Sequence, residues 1–213
     1  IDPAAYDHLQ IGETEEIVYS YTIDDGHGGT VSQTATLTIE GTNDNPHISA
    51  DIEVAISEDD APLTVDLLQN ASDVDSSTLT VSALNEVTGG DASGVVLVGN
   101  TLEVNPGAYE YLAAGEVLEL EFSYDVVDEQ GGVTSATTRL VIEGQNDLPS
   151  VGSTVLAEGT EDDPVISVEL LATATDVDLS DILTVTNLTL DSGDDSGITA
   201  NGNSLSVDPT AYN

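Results

Sequence analysis

The sequence predicts an all-β protein made of tandem antiparallel β-sandwich repeats, and three observations support this fold class. Tyr6, Tyr109 and Tyr212 end related proline-containing segments and are each 103 positions apart, so the chain repeats with a period of about 103 residues. Apolar and polar residues alternate within each repeat, as in strands with one buried face. No segment longer than about ten residues keeps a helical period. A unit of this size with closely spaced strands is typical of a Greek-key, Ig-like sandwich.

The strands of one repeat can be placed in order along the middle of the chain. Between Leu118 and Val126 every second residue is apolar and the residues between are Glu, Ser or Asp, which predicts a strand with one buried face. The same pattern occurs between Ile17 and Ile23, and residues 139–142 form the next strand. Gly99-Asn100 is predicted to be the turn of a tight hairpin. The remaining strands are expected at 51–56, 63–68, 79–84, 95–98 and 101–104.

Two short segments closed by proline are predicted to link the repeats, namely residues 40–46 (EGTNDNP) and 143–149 (EGQNDLP). With these boundaries, residues 1–46 are the C-terminal strands of one repeat, 47–148 are a complete Ig-like repeat, and 149–213 are the N-terminal strands of the next. The two half-repeats would have open sheets, and we expect them to complement each other between molecules, head to tail. The alternative is a permuted unit, bounded near the three tyrosines, that folds within one chain.

Charge excludes several functions. The chain has 41 Asp and Glu residues and a single basic side chain, Arg139, and its formal net charge is −40. Such a surface repels phosphate groups, so we expect no nucleic-acid partner. No run of 18 apolar residues exists, so no membrane insertion is expected. Cysteine is absent, which removes disulfides and thiolate chemistry. Because no secretion leader precedes the repeats, any export signal is expected outside these residues.

The acidic residues are clustered, and the clusters recur in successive repeats. In a sandwich, the turns that hold the Asp-x-Asp and Glu-Asp-Asp groups lie beside the linkers, so each linker is expected to collect several carboxylates. Carboxylates about 4 Å apart repel each other, and a hard divalent cation with six to eight oxygen ligands relieves that repulsion. We therefore expect several Ca²⁺ ions where repeats meet; the alternative is a solvated acidic surface, as in salt-adapted proteins. The candidate metal ligands are Asp25, Glu40, Asn43, Asp44, Asn45, Glu58, Asp59, Asp60, Asp73, Asp75, Asp128, Glu143, Asn146, Asp147, Glu161, Asp162, Asp163, Asp176 and Asp178.

Catalysis is not expected. The three histidines, His8, His27 and His47, do not recur in the second repeat, and no nucleophile-elbow, zinc-protease or phosphate-loop motif is present. Tyr6 and Tyr109, which follow a proline and precede a strand, are predicted to pack as tyrosine corners do.

Two segments carry a resemblance to a known family. Residues 21–30 (YTIDDGHGGT) and 36–46 (TLTIEGTNDNP) resemble the VCBS-type, cadherin-like repeats of very large bacterial RTX adhesins, which are exported by type I secretion. The resemblance implies an extracellular or cell-surface extender domain, stiffened by Ca²⁺ between repeats, that projects a distal binding domain in cell adhesion or biofilm formation.

The resemblance also implies ligands at the two linkers. Asn43-Asp44-Asn45-Pro46 is similar to the linker of cadherins, in which linker Asn and Asp residues, a Glu of the upper domain and an Asp-x-Asp group of the lower domain hold the ions. The second linker departs from this pattern because Leu148 replaces Asn45, which implies fewer or weaker ions there. A second hypothesis is a glycan- or peptide-binding module of a secreted adhesin or polysaccharide-active enzyme, built on loops 85–94 and 187–197.

Overall fold

The computed structural model describes residues 2–212 and confirms the all-β, antiparallel prediction. The strands are β1 (Thr14–Asp24), β2 (Thr30–Glu40), β3 (His47–Ile48), β4 (Ile52–Ser57), β5 (Leu63–Asp66), β6 (Ala71–Ser72), β7 (Thr80–Thr88), β8 (Val95–Val98), β9 (Thr101–Val104), β10 (Val117–Val127), β11 (Val133–Glu143), β12 (Ser150–Val151), β13 (Ile166–Glu169), β14 (Ala174–Thr175), β15 (Ile198–Asn201) and β16 (Ser204–Val207). The helical residues among 2–212 are three short 3-10 turns, Pro3–Tyr6, Pro106–Ala108 and Pro209–Tyr212. None of the helices within this range is long and apolar enough to cross a bilayer.

The chain forms two compact units. The first comprises the residues up to Ile56 together with Ala61–Asn105 and Leu118–Val141. The second comprises Ser57–Asp60, Pro106–Val117 and the residues from Ile142 onward.

The first unit contains a four-stranded sheet in the order β4-β11-β10-β7 and a three-stranded sheet in the order β5-β9-β8. On β10 the predicted alternation places Leu120, Phe122, Tyr124 and Val126 in the core. The other sheet contributes Val65, Leu102 and Val104 to the buried residues. The hydroxyl of Tyr124 donates a hydrogen bond of 3.0 Å to the buried carbonyl of Leu67.

The first unit also contains the hairpin β1-β2, whose eleven paired positions run from Thr14↔Glu40 to Asp24↔Thr30. Its sequence repeats that of β10-β11, but its apolar face is exposed: Tyr19 is 65% exposed, whereas its counterpart Phe122 is 3% exposed. The cause is strand pairing. In residues 47–143 the hairpin lies between β4 and β7, whereas β1 and β2 pair only with each other among the described residues.

The second unit contains the three-stranded sheet β13-β16-β15 and the strand pair β12-β14. Residues 155–160 and 184–192 are the copies of β4 and β7, yet neither segment is a strand. In the complete repeat β4 and β7 pair with the two strands of the hairpin β10-β11. Residues 149–212 contain no copy of that hairpin, which explains why these segments are unpaired.

Arg139 lies on β11 and pairs with acidic residues on neighbouring strands. Its Nη2 atom is 2.7 Å from Oε1 of Glu119, and its Nη1 atom is 3.6 Å from Oε1 of Glu53. All three side chains are substantially exposed, so these ion pairs contribute little to stability.

Replacing Tyr124 by Phe tests the core of the complete repeat. The change leaves the buried Leu67 carbonyl without its partner, and we expect the free energy of unfolding to fall by about 1 kcal/mol or more. The matched control is Tyr21→Phe, because Tyr21 occupies the same position on the exposed β1 strand. Urea unfolding at low protein concentration, followed by circular dichroism, measures both. An equal loss for the two variants would contradict the distinction between the two hairpins.

Candidate metal centres

One acidic cluster surrounds the second linker, and all its members belong to the second unit. Glu58, Asp147 and Asp178 each offer a carboxylate oxygen, and these oxygens lie within 4.8 Å of one another. We call these three residues, with the neighbouring Glu110, the second-linker cluster. Glu58 is 1% exposed and Asp178 is 2% exposed, so two of the carboxylates are removed from water.

Backbone hydrogen bonds hold the second-linker cluster in place. Glu58 donates its backbone N–H to the carbonyl of Glu143 (3.2 Å), and its Oε1 atom accepts a hydrogen bond from the N–H of Gln145. Asp178 accepts the N–H of Asp147 at its Oδ2 atom (3.0 Å). The second oxygen of each buried carboxylate, Oε2 of Glu58 and Oδ1 of Asp178, is buried without a hydrogen-bond partner. Two buried acceptors therefore lack a partner, which is costly unless something binds them.

The electrostatics of the cluster favour protonation or a cation. Burial raises the pKa of Glu58, and the nearby charges of Glu110, Asp147 and Asp178 raise it further, against the effect of the Gln145 N–H. Burial, followed by Asp147, Asp59 and Asp178, raises the pKa of Glu110. The pKa of Asp147 is also raised, by burial and then by Asp178, Asp59 and Asp176. The only Lys or Arg of the chain, Arg139, pairs with glutamates outside this cluster.

Glu110 is a member that sequence reasoning missed. It follows the buried Tyr109 directly after the second 3-10 turn, which brings its carboxylate close enough to raise the pKa of Glu58. A signal was available: the position 103 residues earlier is Asp7, so the acidic character recurs although the residue type does not.

A second group of oxygens, the first-linker cluster, surrounds Asn43-Asp44-Asn45 in the first unit. It consists of Asn43, Asp73, Asp75 and Asp128. Asp75 accepts the N–H of Asp44 at Oδ2 (3.4 Å), and its own N–H donates to Oδ1 of Asp73 (3.0 Å). Asn43 donates from Nδ2 to Oδ2 of Asp128 (3.0 Å). These bonds join the linker to two turns of the complete repeat.

The first-linker cluster also contains buried oxygens without hydrogen-bond partners. They are Oδ1 of Asn43, Oδ2 of Asp73, Oδ1 of Asp75 and the nearby Oε1 of Gln130. Burial, with smaller contributions from Asp73 and Asp44, raises the pKa of Asp75 against the effect of the Asp44 N–H. Burial acts on Asp128 in the same direction, but hydrogen bonds from Asn43, Gly132 and Gln130 outweigh it and lower its pKa.

Gly132 allows the Asp128 turn to approach the first linker. A Cβ atom at this position would lie 2.7 Å from Oδ1 of Asn45 and would also overlap Asp128 and Asn43. At the equivalent Gly29, the three atoms nearest to an added Cβ all belong to the carboxylate of Asp25. Close packing of linker and turn therefore depends on a residue without a side chain at position 132.

The other predicted ligands lie at the edges of the clusters or in local turns. Asp59 and Asp176 influence the second-linker cluster through charge. Asp60 and Asp163 accept backbone hydrogen bonds from Ser57 and Thr160 within their own turns, and Asp25 does so from His27 and Gly29. The side chain of Asn146 donates to the carbonyl of Asp147. The remaining predicted ligands are exposed outside the two clusters: Glu40, Glu143, Glu161 and Asp162.

The donor set of both clusters fits a hard divalent cation. The unpartnered atoms are carboxylate and amide oxygens, the ligands that Ca²⁺ takes in flexible geometry. Neither cluster contains the nitrogen or sulfur ligands that zinc and copper prefer. Glu58, Glu110, Asp147 and Asp178 would hold the ion at the second linker, and Asn43, Asp73, Asp75 and Asp128 would hold it at the first.

One family model matches the middle of the chain. Residues 42–143 match the family model described as the cadherin-like domain. This match supports the cadherin-like part of the resemblance found in the sequence. The bacterial adhesin part stays a prediction. A search of the curated proteins finds no match to the sequence.

Solved structures similar to the chain include cadherin ectodomains. Protocadherin gamma B7 extracellular cadherin domains 1–4 share 16% identity at a TM-score of 0.42, and the alignment covers 97% of this chain and 50% of that one. Protocadherin gamma B2 domains 1–5 share 20% identity at a TM-score of 0.45, with 98% and 40% covered. Drosophila N-cadherin domains EC1-4 share 16% identity at a TM-score of 0.40, with 95% and 51% covered. The chain thus spans about half the length of these structures or less.

The raised pKa values predict how the metal-free protein responds to pH. A carboxyl whose pKa is higher in the folded than in the unfolded state binds more protons when folded, so stability falls as pH rises through that interval. We therefore expect a higher melting temperature at about pH 5 than at about pH 7 in the presence of chelator. The pKa values of Asp25, Asp91 and Asp128 are lowered, so these groups make stability rise with pH, but only below about pH 4. Scanning calorimetry measures the effect, and Glu58→Gln should reduce it. A pH dependence identical in that variant would exclude Glu58 as a cause.

Proposed function

We propose that this chain is a calcium-stiffened extender segment of a secreted or surface-bound bacterial adhesin. The observation that carries the proposal is the pair of linker clusters, each with buried oxygens that lack both a proton donor and a counter-charge. Surface acids that are simply solvated have no need to be buried. The burial of acids at recurring linker positions is explained if a bound cation offsets their mutual repulsion.

Cation binding at the linkers would restrict hinge motion. In the second-linker cluster, Glu58 directly follows β4, Asp147 lies on the linker itself and Asp178 lies on the turn that follows β14. An ion shared by these three segments holds them at fixed separations, and repulsion between the carboxylates no longer drives them apart. The mechanical result is a stiff segment that projects a distal binding domain away from the cell. Its partners are neighbouring repeats of the same kind.

The proposed setting fits the expected affinity. Extracellular modules bind Ca²⁺ with dissociation constants of about 10⁻⁴–10⁻³ M. Such sites stay empty in the cytosol and fill outside the cell, so the segment stiffens after export by the proposed type I route. Because the ion binds only the folded chain, its binding free energy adds to folding stability.

Melting in three buffers tests the metal against simple charge screening. We expect millimolar Ca²⁺ to raise the melting temperature well above that measured with chelator, and high NaCl to raise it much less, since salt screens exposed charges but does not occupy buried ligands. Glu58→Gln and Asp178→Asn should each lower the affinity at the second linker roughly tenfold or more in calorimetric titration. Glu103→Gln, an exposed substitution on β9, is the control. If NaCl and Ca²⁺ raised the melting temperature equally, the acidic residues would be solvated surface residues and not metal ligands.

Distance measurements test stiffening directly. The chain has no cysteine, so cysteines can be introduced for spin labels. Suitable positions are Thr64→Cys in β5 and Thr199→Cys in β15, two strands that belong to different sheets. We expect Ca²⁺ to narrow the distribution of distances between the labels, and Glu58→Gln to reverse the narrowing. A distribution that stays equally broad with saturating Ca²⁺ would contradict the mechanical role while leaving cation binding intact.

A further inference from the structure

Strand β8 is an unprotected edge of the three-stranded sheet in the complete repeat. The order β5-β9-β8 leaves β9 as its only pairing partner among the described residues. The strand consists of Val95, Val96, Leu97 and Val98, so it carries no charged or polar side chain. Val96 is 55% exposed and Val98 is 46% exposed. An uncharged edge of this kind can pair with another extended chain.

The other edge strands of the same repeat are protected. The strands β4, β5 and β7 each carry an acidic side chain, which is Glu53, Asp66 and Glu86, respectively. In addition, β7 contains a bulge at Ala83, where the φ angle is 54° and the register with β10 shifts. Charged side chains and bulges discourage further pairing at the edges of natural sheets. The strand β8 lacks both features.

The pairing with β9 determines which backbone groups of β8 face outward. Val98 and Thr101 flank the two-residue turn Gly99-Asn100, so they form a hydrogen-bonded pair. Hydrogen-bonded pairs alternate with non-bonded pairs along two antiparallel strands, so Leu97 directs its N–H and its carbonyl away from β9. An extended peptide that lies beside β8 can therefore exchange two hydrogen bonds with Leu97.

Hydrogen bonds at both ends hold β8 in its extended form. At the turn, the side-chain oxygen of Asn100 accepts the N–H of Val81 (2.9 Å), and its carbonyl accepts the N–H of Leu67 (3.0 Å). At the other end, Val95 donates its N–H to the carbonyl of Ala92 (3.0 Å). Because the edge is already ordered, the addition of a strand costs little conformational entropy on this side.

The surroundings of β8 favour a basic partner. A groove of about 540 Å³ spans β5, β9 and β8, and its lining includes Pro62, Val96 and Glu103. Glu103 is exposed and lies directly across from Val96. The only Lys or Arg of the chain, Arg139, pairs with other glutamates and leaves this charge unanswered. A basic side chain opposite Val96 can lay its aliphatic stem over the valine and direct its charge toward Glu103.

We propose that β8 binds an extended segment of a partner protein by strand addition, and that basic and apolar residues alternate in this segment. The basic residues lie beside Val96 and Val98, and the apolar residues lie beside Leu97. An acidic partner, a second copy of this chain included, is repelled because the net charge of the chain is −40. No residue of β8 belongs to either linker cluster, so this binding activity goes beyond the proposed extender function and does not depend on calcium.

The strand β15 is an internal control for this site. It occupies the same place in the order β13-β16-β15 as β8 does in its sheet. Its turn is anchored through the side chain of Asn203, as that of β8 is through Asn100. Its outward residues are Thr199 and Asn201, and the residue across from Thr199 is Ser206. The fold therefore requires neither the exposed valines of β8 nor the glutamate beside them.

Calorimetric titration with a synthetic peptide tests strand addition. The probe is a short peptide of alternating lysine and valine with blocked ends. Its controls are the same peptide with N-methylated valines, which cannot donate to Leu97, and one with glutamate in place of lysine. Millimolar Ca²⁺ and about 0.15 M NaCl reduce non-specific attraction to the acidic surface. We expect only the unmethylated lysine peptide to bind. Equal binding of the N-methylated peptide would reveal a purely electrostatic contact and overturn the proposal.

Substitutions locate the site on the chain. Val96→Thr combined with Val98→Asn gives β8 the outward residues of β15, and we expect it to weaken peptide binding roughly tenfold or more. Val87→Thr is the control, because Val87 is a similarly exposed valine on β7, another edge strand. All three positions are exposed, so melting temperatures should change little. If the peptide bound the double variant as tightly as the unmodified chain, the site would not be β8.

Amide hydrogen exchange measured by NMR tests the geometry. We expect the peptide to slow exchange at Leu97 roughly tenfold or more. Exchange at Val96 and Val98 should stay unchanged, because their N–H groups already bond to β9. Slowing that is equal at all three amides, or absent at Leu97, would contradict strand addition.

Sedimentation of the full chain without peptide tests the other occupant of the edge. We expect a monomer, because like charges oppose pairing between two copies. A dimer that the Val96→Thr, Val98→Asn variant does not form would show that β8 pairs with a second copy, and the proposal of a basic partner would be wrong.

Discussion

Repulsion between buried carboxylates is the constraint on which the rest of this structure depends. A sandwich of this size gains its stability from the apolar faces of two sheets, and nothing in that gain requires acids at the ends of the strands. The chain nevertheless buries Glu58 and Asp178 beside Asp147, and it buries Asp75 beside Asp73. Arg139, the only Lys or Arg, pairs with glutamates elsewhere and does not neutralise these charges. Folding therefore brings together groups that oppose it. On the proposed function, a bound divalent cation would offset that repulsion and link the segments that supply its ligands.

The repeat gives the structure an internal comparison. The hairpin sequence occurs twice, once with both neighbouring strands and once with neither, and the side chains of its inward face change from buried to exposed accordingly. The segments that flank it also occur twice, and they form strands only where the hairpin is present. Pairing, rather than local propensity, decides which of these residues are strands. Local features such as the turn at Asp128 and the left-handed residue at Ala83 survive in both contexts because they depend on nearby atoms alone.

Most of the fold was predictable from the sequence. Apolar residues at every second position follow from strand geometry, and the spacing of 103 residues between copies gives the size of the repeat. The sequence could not reveal that residues 184–192 lack strand structure, since Thr184, Val185 and Leu188 repeat Thr80, Val81 and Leu84 of β7. Within the candidate site, the Asp-x-Asp and linker positions were predictable from their recurrence. Glu110 was not, because its copy is an aspartate and its approach to Glu58 depends on a short 3-10 turn. The buried oxygens without hydrogen-bond partners arise from the three-dimensional structure and cannot be predicted from a sequence motif.

The isolated arginine has a consequence for cleavage by proteases. Proteases that cleave after Lys or Arg find one target bond in the whole chain, between Arg139 and Leu140. That bond lies in the middle of β11, an inner strand of its sheet, where Leu140 is buried and the backbone is paired on both sides. A protease must bind its substrate in extended form, and this segment is released only when the repeat unfolds. A composition that repels polyanions thus also leaves trypsin-like enzymes almost nothing to cut.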